Sequence, residues 1–428
     1  MCGILFSQDS NKIPDLSLLK QRGPEGFNEQ ENDLGYFAHS MLNTIGENVK
    51  QPYHGKHGVL LYNGSVYNGT GGNDTAWLGS RLDDNLENTI EIIKVLNGEF
   101  ALIYVTNDHI VFCADHFNQR NLWFYFDQPS KQITISSIPD IVHQKHGVSW
   151  HTNENKIYVI DKKTFSIDIV TNKIWDLQQG TNHFDYVMEE FEKAVKNRYI
   201  PETSTNLLSS GFDSGVINCA THKLFKEIDC VCDPTYEVKE TIKERMQIHR
   251  SVVLKNEDDH QREQEVMFNE ILPSDTVWID PSVEPLINIL KKYVGKRNKK
   301  IVLFGTGGDE IYNDWHEQRE GSTIGRTNGQ FPSTLKLLWP WYNYNNDRLR
   351  LVNTRNDFIC GYFGIEARNP LLDVNLVQAW LNTTCTIKNQ GYKSWMKAYM
   401  DQEDYPYTMK KVHWAMEDYQ PESWKKLK

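Results

Sequence analysis

The hydrophobic rhythm of this 428-residue chain changes once, and that change constrains its fold more than any other feature. In the first part, apolar residues come in short runs rich in β-branched and aromatic side chains. VLLYNGSVYNG, EFALIYV, HIVFCAD, LWFYF, KQITISS and KIYVI are separated by Gly, Asn, Asp and Pro. Such runs read as strands joined by turns. Two helical patterns interrupt them, near Asp74–Leu82 and Leu86–Asn97. A polar stretch containing Gly180, KIWDLQQGTN, follows and reads as a linker. Beyond it, HFDYVMEEFEKAVKNRY carries apolar residues at helix spacing. The short runs NLLSS, IDCVC, SVVL, TVWI and KKIVLFG then alternate with helical patterns, and the C-terminal part reads as mostly helical. Strands alternating with helices predict a parallel sheet covered on both faces.

Two rhythms imply two domains, over residues 2–178 and 182–428, and a chain of this length suits two cores rather than one. At 39% hydrophobic and 24% charged residues, the composition is that of a folded globular protein. The net charge of -11 offers little basic surface, so nucleic acid is not an expected partner. No run approaches the roughly 20 apolar residues of a membrane helix. The N-terminal MCGILFSQDSNKIPDL lacks the basic-then-apolar pattern of a signal peptide. The 7 cysteines are scattered, so neither a disulfide framework nor a zinc site is implied, and a cytoplasmic setting is expected. IDCVC reads as a buried strand.

Three segments suggest chemistry. Cys2 follows Met1. Once Met1 is removed, the α-amine of a terminal cysteine can act as base for its own thiol, and the thiolate can attack a carbonyl. MCG alone also occurs by chance. Leu61–Asn68, LYNGSVYN, reads as a strand running into an Asn-Gly turn, which is an ordinary hairpin signal. The alternative is an oxyanion hole, with the Asn63 amide and the Gly64 N–H converging on a tetrahedral oxygen. Leu207–Gly215, LLSSGFDSG, follows a strand and opens a helix. Successive backbone N–H groups and a helix N-terminus suit phosphate oxygens. Ser209, Ser210 and Ser214 add hydroxyls, and Asp213 suits a magnesium ion. A Ser/Gly-rich helix cap explains the same residues.

The first half shows MCGI, RGPEG at Arg22–Gly26, NGSVYN, GGND at Gly71–Asp74, GEFALIYV and ADHFNQRNLWFY. In order and spacing these resemble the class II glutamine amidotransferase domain of glutamine-hydrolysing asparagine synthetases. SGFDS resembles the pyrophosphate loop of N-type ATP pyrophosphatases. IVLFGTGGDEIYNDW at Ile301–Trp315, GIEARNPLLD at Gly364–Asp373 and YTMKKVHW at Tyr407–Trp414 resemble later segments of the same family. The resemblance implies an N-terminal-nucleophile αββα sandwich followed by a doubly wound parallel-sheet ATP pyrophosphatase domain with helical additions. It implies Cys2 as nucleophile, Asn63 and Gly64 as the oxyanion hole, and Asp74 on the α-amine of glutamine. ATP and pyrophosphate would meet Leu208, Ser209, Ser210, Gly211, Asp213, Ser214, Gly305 and Lys411, the last preferred over Lys410. Mg2+ would bind Asp213 and Asp309. The implied substrates are glutamine, ATP and aspartate, and a homodimer is compatible with the reading.

Two positions depart from the family pattern. Met41 stands where the family has an arginine that pairs with the α-carboxylate of glutamine. A thioether cannot replace a bidentate cation. Either another cation such as Arg22 or Lys50 supplies that charge, or glutamine binds weakly. Thr306 stands where the family has a glutamate credited with helping ammonia attack the adenylate, and a hydroxyl is no comparable base. Glu310 and Glu366 are the alternatives. Asparagine synthesis is the leading expectation. A synthetase with another carboxylate acceptor and a non-catalytic homologue are its rivals.

Overall fold

A computed structural model of the chain describes all residues except 12, 45, 70–71, 235–236, 250, 255–282, 295–296, 314–328, 337, 342–343, 345–347 and 410–428. The expected strand TVWI and both Lys410 and Lys411 therefore lie outside the described residues.

The first half contributes β1 (Gly3–Ser7), β2 (Gly26–Asn32), β3 (Gly35–Met41), β4 (Tyr53–His54), β5 (Val59–Val66), β6 (Gly98–Val105), β7 (His109–Ala114), β8 (Trp123–Asp127), β9 (Gln132–Ser136), β10 (Trp150–His151), β11 (Lys156–Asp161) and β12 (Ser166–Thr171). They form two six-stranded sheets, ordered β10-β8-β9-β1-β3-β2 and β12-β11-β7-β6-β5-β4. Every pairing in them is antiparallel. Because side chains alternate along a strand, each sheet has an inner and an outer face. Ile4, Phe6 and Phe37 of one sheet meet Leu61, Ile103 and Phe112 of the other in a closed core. The outer residues Leu60, Phe100 and Leu102 pack on Leu78 and Ile93, from the helices Asp74–Gly79 and Leu86–Lys94. On the opposite side Leu5 and Ala38 meet Leu19 and Ile141, from the helices Ser17–Arg22 and Pro139–His146. The layers thus run helix, sheet, sheet, helix. Burying each such side chain is worth about 1.5–3 kcal/mol.

One local expectation fails. Asn63-Gly64 is not a turn, since β5 runs straight through it in register with β6 (Asn63 opposite Ala101, Gly64 opposite Phe100). Gly64 has φ of 129°, and a Cβ there would lie 1.9 Å from the Glu99 carbonyl oxygen. Glycine is needed for the close approach of two strands, which the dipeptide alone does not distinguish from a hairpin turn.

The second half supplies β13 (Ser204–Leu207), β14 (Asp229–Cys232), β15 (Ser251–Leu254), β16 (Ile301–Leu303) and β17 (Glu366–Arg368). They form a parallel sheet ordered β15-β14-β13-β16-β17. Cys230, Ile301 and Leu303 face Phe191, Ile217, Trp380 and Trp395, from the helices Asp185–Arg198, Phe212–Phe225, Val374–Asn382 and Ser394–Gln402. Val231, Val302 and Ala367 face Leu286, Phe358 and Ile359, from the helices Val283–Ile289 and Arg348–Tyr362. Both faces are covered, as a parallel sheet requires. Strand order reverses between β13 and β16, so the loops after these two strands open a crevice at the carboxyl edge.

The two halves share a core and a buried ion network. Leu5, Leu19 and Ile141 belong to the same apolar cluster as Val302 and Phe358. Glu99 of β6 accepts from Arg198 Nε at 2.6 Å, from Arg120 Nη2 at 3.2 Å and from the Asn369 backbone at 2.9 Å. Arg198 also donates to Asp373 at 2.9 Å, and Arg120 to the Ala367 carbonyl at 2.7 Å. Glu99, Arg120 and Arg198 are fully buried.

Two candidate active-site cavities

The first cavity, of about 330 Å³, opens at the edge of the sandwich. Cys2, Gly64 and Asp74 line it, together with His39, Met41, Ser65 and Glu366. Cys2 enters β1, and its Sγ accepts from the Leu42 N–H at 3.3 Å. Burial pushes its thiol above the ordinary value, while the neighbouring amino terminus and the Leu42 bond act the other way. Met1 is fully buried, and its ammonium donates to the Ile365 carbonyl at 3.1 Å. Burial takes that amine down to about 5.

Asn63 does not line the cavity. It alternates with Gly64, on the inner face that Leu61 shares. The residue is 1% exposed, and its amide nitrogen has no hydrogen-bond partner. A buried unpaired donor is costly, and oxyanion holes are one setting in which such donors occur. Asp74 opens a helix whose cap is Asn73, and its Oδ2 accepts from the Val66 N–H at 2.9 Å. Burial raises its carboxyl to about 6, and the Val66 bond offsets part of that.

Arg22 is not in the lining. Its Nε donates to the Cys2 carbonyl at 3.0 Å, and its Nη2 to both Asp357 oxygens at 2.9 and 3.1 Å. Arg22, expected on a glutamine carboxylate, thus has Nε and Nη2 engaged, while its buried Nη1 has no hydrogen-bond partner. Lys50 is exposed and also outside the lining. Glu366, weighed as a base for the second site, lines the Cys2 cavity. Its Oε1 accepts from Arg368 Nε at 2.7 Å, and Arg120 lies 3.8 Å away. Burial opposes its charge, but these arginines outweigh burial and hold its carboxyl below the usual range.

The second cavity lies at the reversal point of the parallel sheet. Leu208, Ser209, Asp213, Ser214, Gly305, Thr306, Asp309 and Glu310 line it. Asp213 sits in the first turn of the helix Phe212–Phe225. The loop after β16 passes so close that a Cβ at Gly308 would lie 2.0 Å from Asp213 Oδ1. Ser209 and Ser214 share a hydroxyl hydrogen bond of 2.5 Å. Ser210 and Gly211 lie in the loop but not in the lining. The Ser210 N–H donates to Glu237 at 2.6 Å, and its hydroxyl bonds the same carboxylate. Arg245 donates to the Gly211 carbonyl at 3.1 Å and to that of Ser209. These bonds brace the loop, and the Ser210 side chain is turned toward Glu237, which itself lines the cavity.

Sequence reasoning missed Lys393. Its Nζ lies 2.5 Å from Asp213 and 2.8 Å from Asp309. Burial works against its charge, but the two carboxylates outweigh burial and raise its pKa well above the ordinary value. Burial raises Asp213 to about 7, with Lys393 opposing and Asp309 adding. Lys393 precedes the helix Ser394–Gln402 with φ of 46°. The chosen Lys411 lies outside the described residues, and nothing in the YTMKKVHW motif pointed back to QGYKSW. Glu310 accepts from the Gly307 N–H at 3.0 Å, with Arg348 at 3.8 Å, and burial raises its carboxyl. Thr306 Oγ1 accepts from Asn356 Nδ2 at 3.1 Å.

Asp213 and Asp309 both reach one cationic centre, the Lys393 ammonium, and are the residues that would hold a magnesium ion. Among the described residues no group of three or more metal-ligating side chains forms. Phosphate oxygens would complete the shell, as is usual for magnesium. Among the described residues no helix is long and apolar enough to cross a membrane.

No family model and no curated protein matches the chain. Among solved structures, it is similar to a glutamine phosphoribosylpyrophosphate amidotransferase from B. subtilis complexed with ADP and GMP. That match has 12% identity and a TM-score of 0.33, over 61% of this chain and 70% of the other. An allosteric regulatory enzyme of purine biosynthesis matches at 13% identity and a TM-score of 0.33, with the same coverage. A glutamine aminotransferase class-II domain protein from Silicibacter pomeroyi matches at 12% identity and a TM-score of 0.23, over 40% of this chain and 90% of the other. Likeness at this level assigns no function.

Proposed function

We propose that the chain is a two-site amide-forming enzyme, releasing ammonia from a carboxamide at Cys2 and using ATP to activate a carboxylate in the second cavity. The observation that carries this reading is the meeting of Asp213, Asp309 and Lys393 at the strand-order reversal, beside a braced Ser/Gly loop. Ligands of parallel sheets bind at such reversal points.

At the first site the Cys2 thiolate adds to the carboxamide carbon. The C–S bond forms, the C–N bond breaks, and the thiol proton leaves with ammonia. Water then splits the thioester, giving a carboxylic acid and restoring the thiol. Asn63 and Gly64 are the proposed oxyanion donors, and Asp74 the partner of the substrate ammonium. At the second site an acceptor carboxylate attacks the α-phosphorus of ATP and pyrophosphate departs. Ammonia then displaces AMP to give the amide. Asp213 and Asp309 would hold a magnesium ion, which would supply charge neutralisation to the phosphates, and Lys393 would pair with the pyrophosphate. Leu208, Ser209, Ser214 and Gly305 hold phosphate oxygens, while Ser210 and Gly211 shape the turn. Aspartate is the leading acceptor, giving asparagine.

A second acceptor class is favoured by Thr306, whose hydroxyl is held by Asn356 in the lining where a catalytic glutamate was expected. The test is incubation with ATP, magnesium, glutamine, aspartate and a pool of other carboxylates, with mass spectrometry of the amide formed. Asparagine is the expected product. A different amide moves the reading to the second class, and none, even with ammonium supplied, rejects both.

A further inference from the structure

The charges around Cys2 do not suit a free amino acid. Among the described residues lining that cavity there is no lysine and no arginine, while Glu47, Asp74 and Glu366 are all present. Glu366 is answered by Arg368 and Arg120, and the remaining Arg368 nitrogen donates to Ser65 at 3.2 Å and Thr44 at 3.5 Å rather than standing open in the lining. Arg22 is held by Asp357 and the Cys2 carbonyl. Asp74 therefore offers a place for an ammonium, but an α-carboxylate bound beside it finds Met41 and neutral amides.

His39 points to what replaces that carboxylate. It is 1% exposed, lines the cavity, and neither ring nitrogen has a hydrogen-bond partner. Burial lowers its pKa to about 3, so near neutral pH the ring has one donor and one acceptor and no charge. A peptide group presents the complementary acceptor and donor, whereas a carboxylate can only accept.

We propose that the Cys2 cavity takes a primary carboxamide bearing an ammonium but no free α-carboxylate, namely a glutamine residue at the amino terminus of a peptide. This rests on the reading of Cys2 as the nucleophile. The ammonium binds Asp74, the side-chain amide meets Cys2, and the first peptide group lies against His39 and Met41. Thioester formation and hydrolysis proceed as for glutamine, with water as the only co-reactant.

The test uses the full chain with L-glutamine and with glutaminyl-glycinamide, following side-chain deamidation. The glutamyl product is identified by mass, which separates it from spontaneous cyclisation. The expected result is a kcat/KM for the peptide roughly 10- to 1000-fold above that for glutamine, the range set by one charge-assisted partner. Cys2→Ala should abolish both reactions, and Met41→Arg should shift preference toward glutamine. His39→Phe should lower the peptide rate more than the glutamine rate. Cys2-dependent hydrolysis that favours free glutamine overturns the proposal and leaves the nucleophile standing. No Cys2-dependent hydrolysis of either compound overturns both.

Discussion

The ammonium of Lys393 stands 2.5 Å from the carboxylate of Asp213, across 180 residues of sequence. Asp309 lies 2.8 Å from the same nitrogen. The lysine thus sits where two neighbouring carboxylates would otherwise repel. Lys393→Ala should lower ATP-dependent amide formation by at least roughly 100-fold, as loss of a positioned electrostatic group does. Carboxamide hydrolysis at Cys2 should persist in this variant. Parallel assays of pyrophosphate and ammonia release check it, and an unchanged pyrophosphate rate would remove Lys393 from the site.

Asp213→Asn and Asp309→Asn should likewise lose synthesis and retain hydrolysis. They should also weaken the magnesium dependence of nucleotide binding, which titration of a fluorescent ATP analogue can read. A magnesium dependence identical to wild type in both variants would separate these aspartates from the metal.

Asn63 allows a test in which stability and activity part company. Its amide nitrogen is buried and unpartnered, so Asn63→Ala gives up no hydrogen bond from that donor. The folded state should be little changed while hydrolysis falls roughly 100- to 1000-fold. Gly64→Ala should fail on both counts, because its Cβ would run into the Glu99 carbonyl. Urea unfolding beside a hydrolysis assay separates the two variants.

The buried ion network makes a stability prediction. Asp357→Ala leaves Arg22 charged, buried and stripped of its ion-pair partner, which should cost about 3–5 kcal/mol. It should also slow hydrolysis, since Arg22 holds the Cys2 carbonyl. Replacing both partners by apolar residues should recover stability but not activity.

Stability should fall as pH drops from about 7.5 to 5. His39, His116, His151 and His249 are lowered by burial to about 3, and His146 to about 4, from the ordinary value of 6.5. The unfolded chain takes up protons at these histidines below that value, and the folded chain does not until much lower pH. Unfolding is therefore favoured as pH falls through 6.5. Asp74 and Asp115, raised to about 6, and Asp213, raised to about 7, act with the opposite sign. Three such carboxylates offset five histidines only in part. The urea midpoint measured across this range checks the sign.

Much of the architecture was legible because periodicity reports burial directly. The runs around β6, β7 and β14 are strands since alternating or continuous apolar residues fill sheet faces. Asn63-Gly64 misled because a glycine in a tight strand crossing and a glycine in a turn look alike in sequence. Lys393 was invisible because its partners come from two distant loops that only the parallel sheet brings together. The pairing of Arg22 with Asp357, on a helix of the other half, was equally hidden. Such long-range pairings are set by packing between halves, which local patterns do not encode.

The central claim, one chain moving nitrogen from a carboxamide at Cys2 to an acceptor activated by ATP, is tested most directly by isotope transfer. The chain is given ATP, magnesium, aspartate with other carboxylates, and a glutamine donor labelled with ¹⁵N at its side-chain amide. The account predicts ¹⁵N in a newly formed amide, with AMP and pyrophosphate made in step. Cys2→Ala should lose the transfer and regain amide formation when labelled ammonium is added. Release of ADP and phosphate, or the lack of any labelled amide with either nitrogen source, would contradict it.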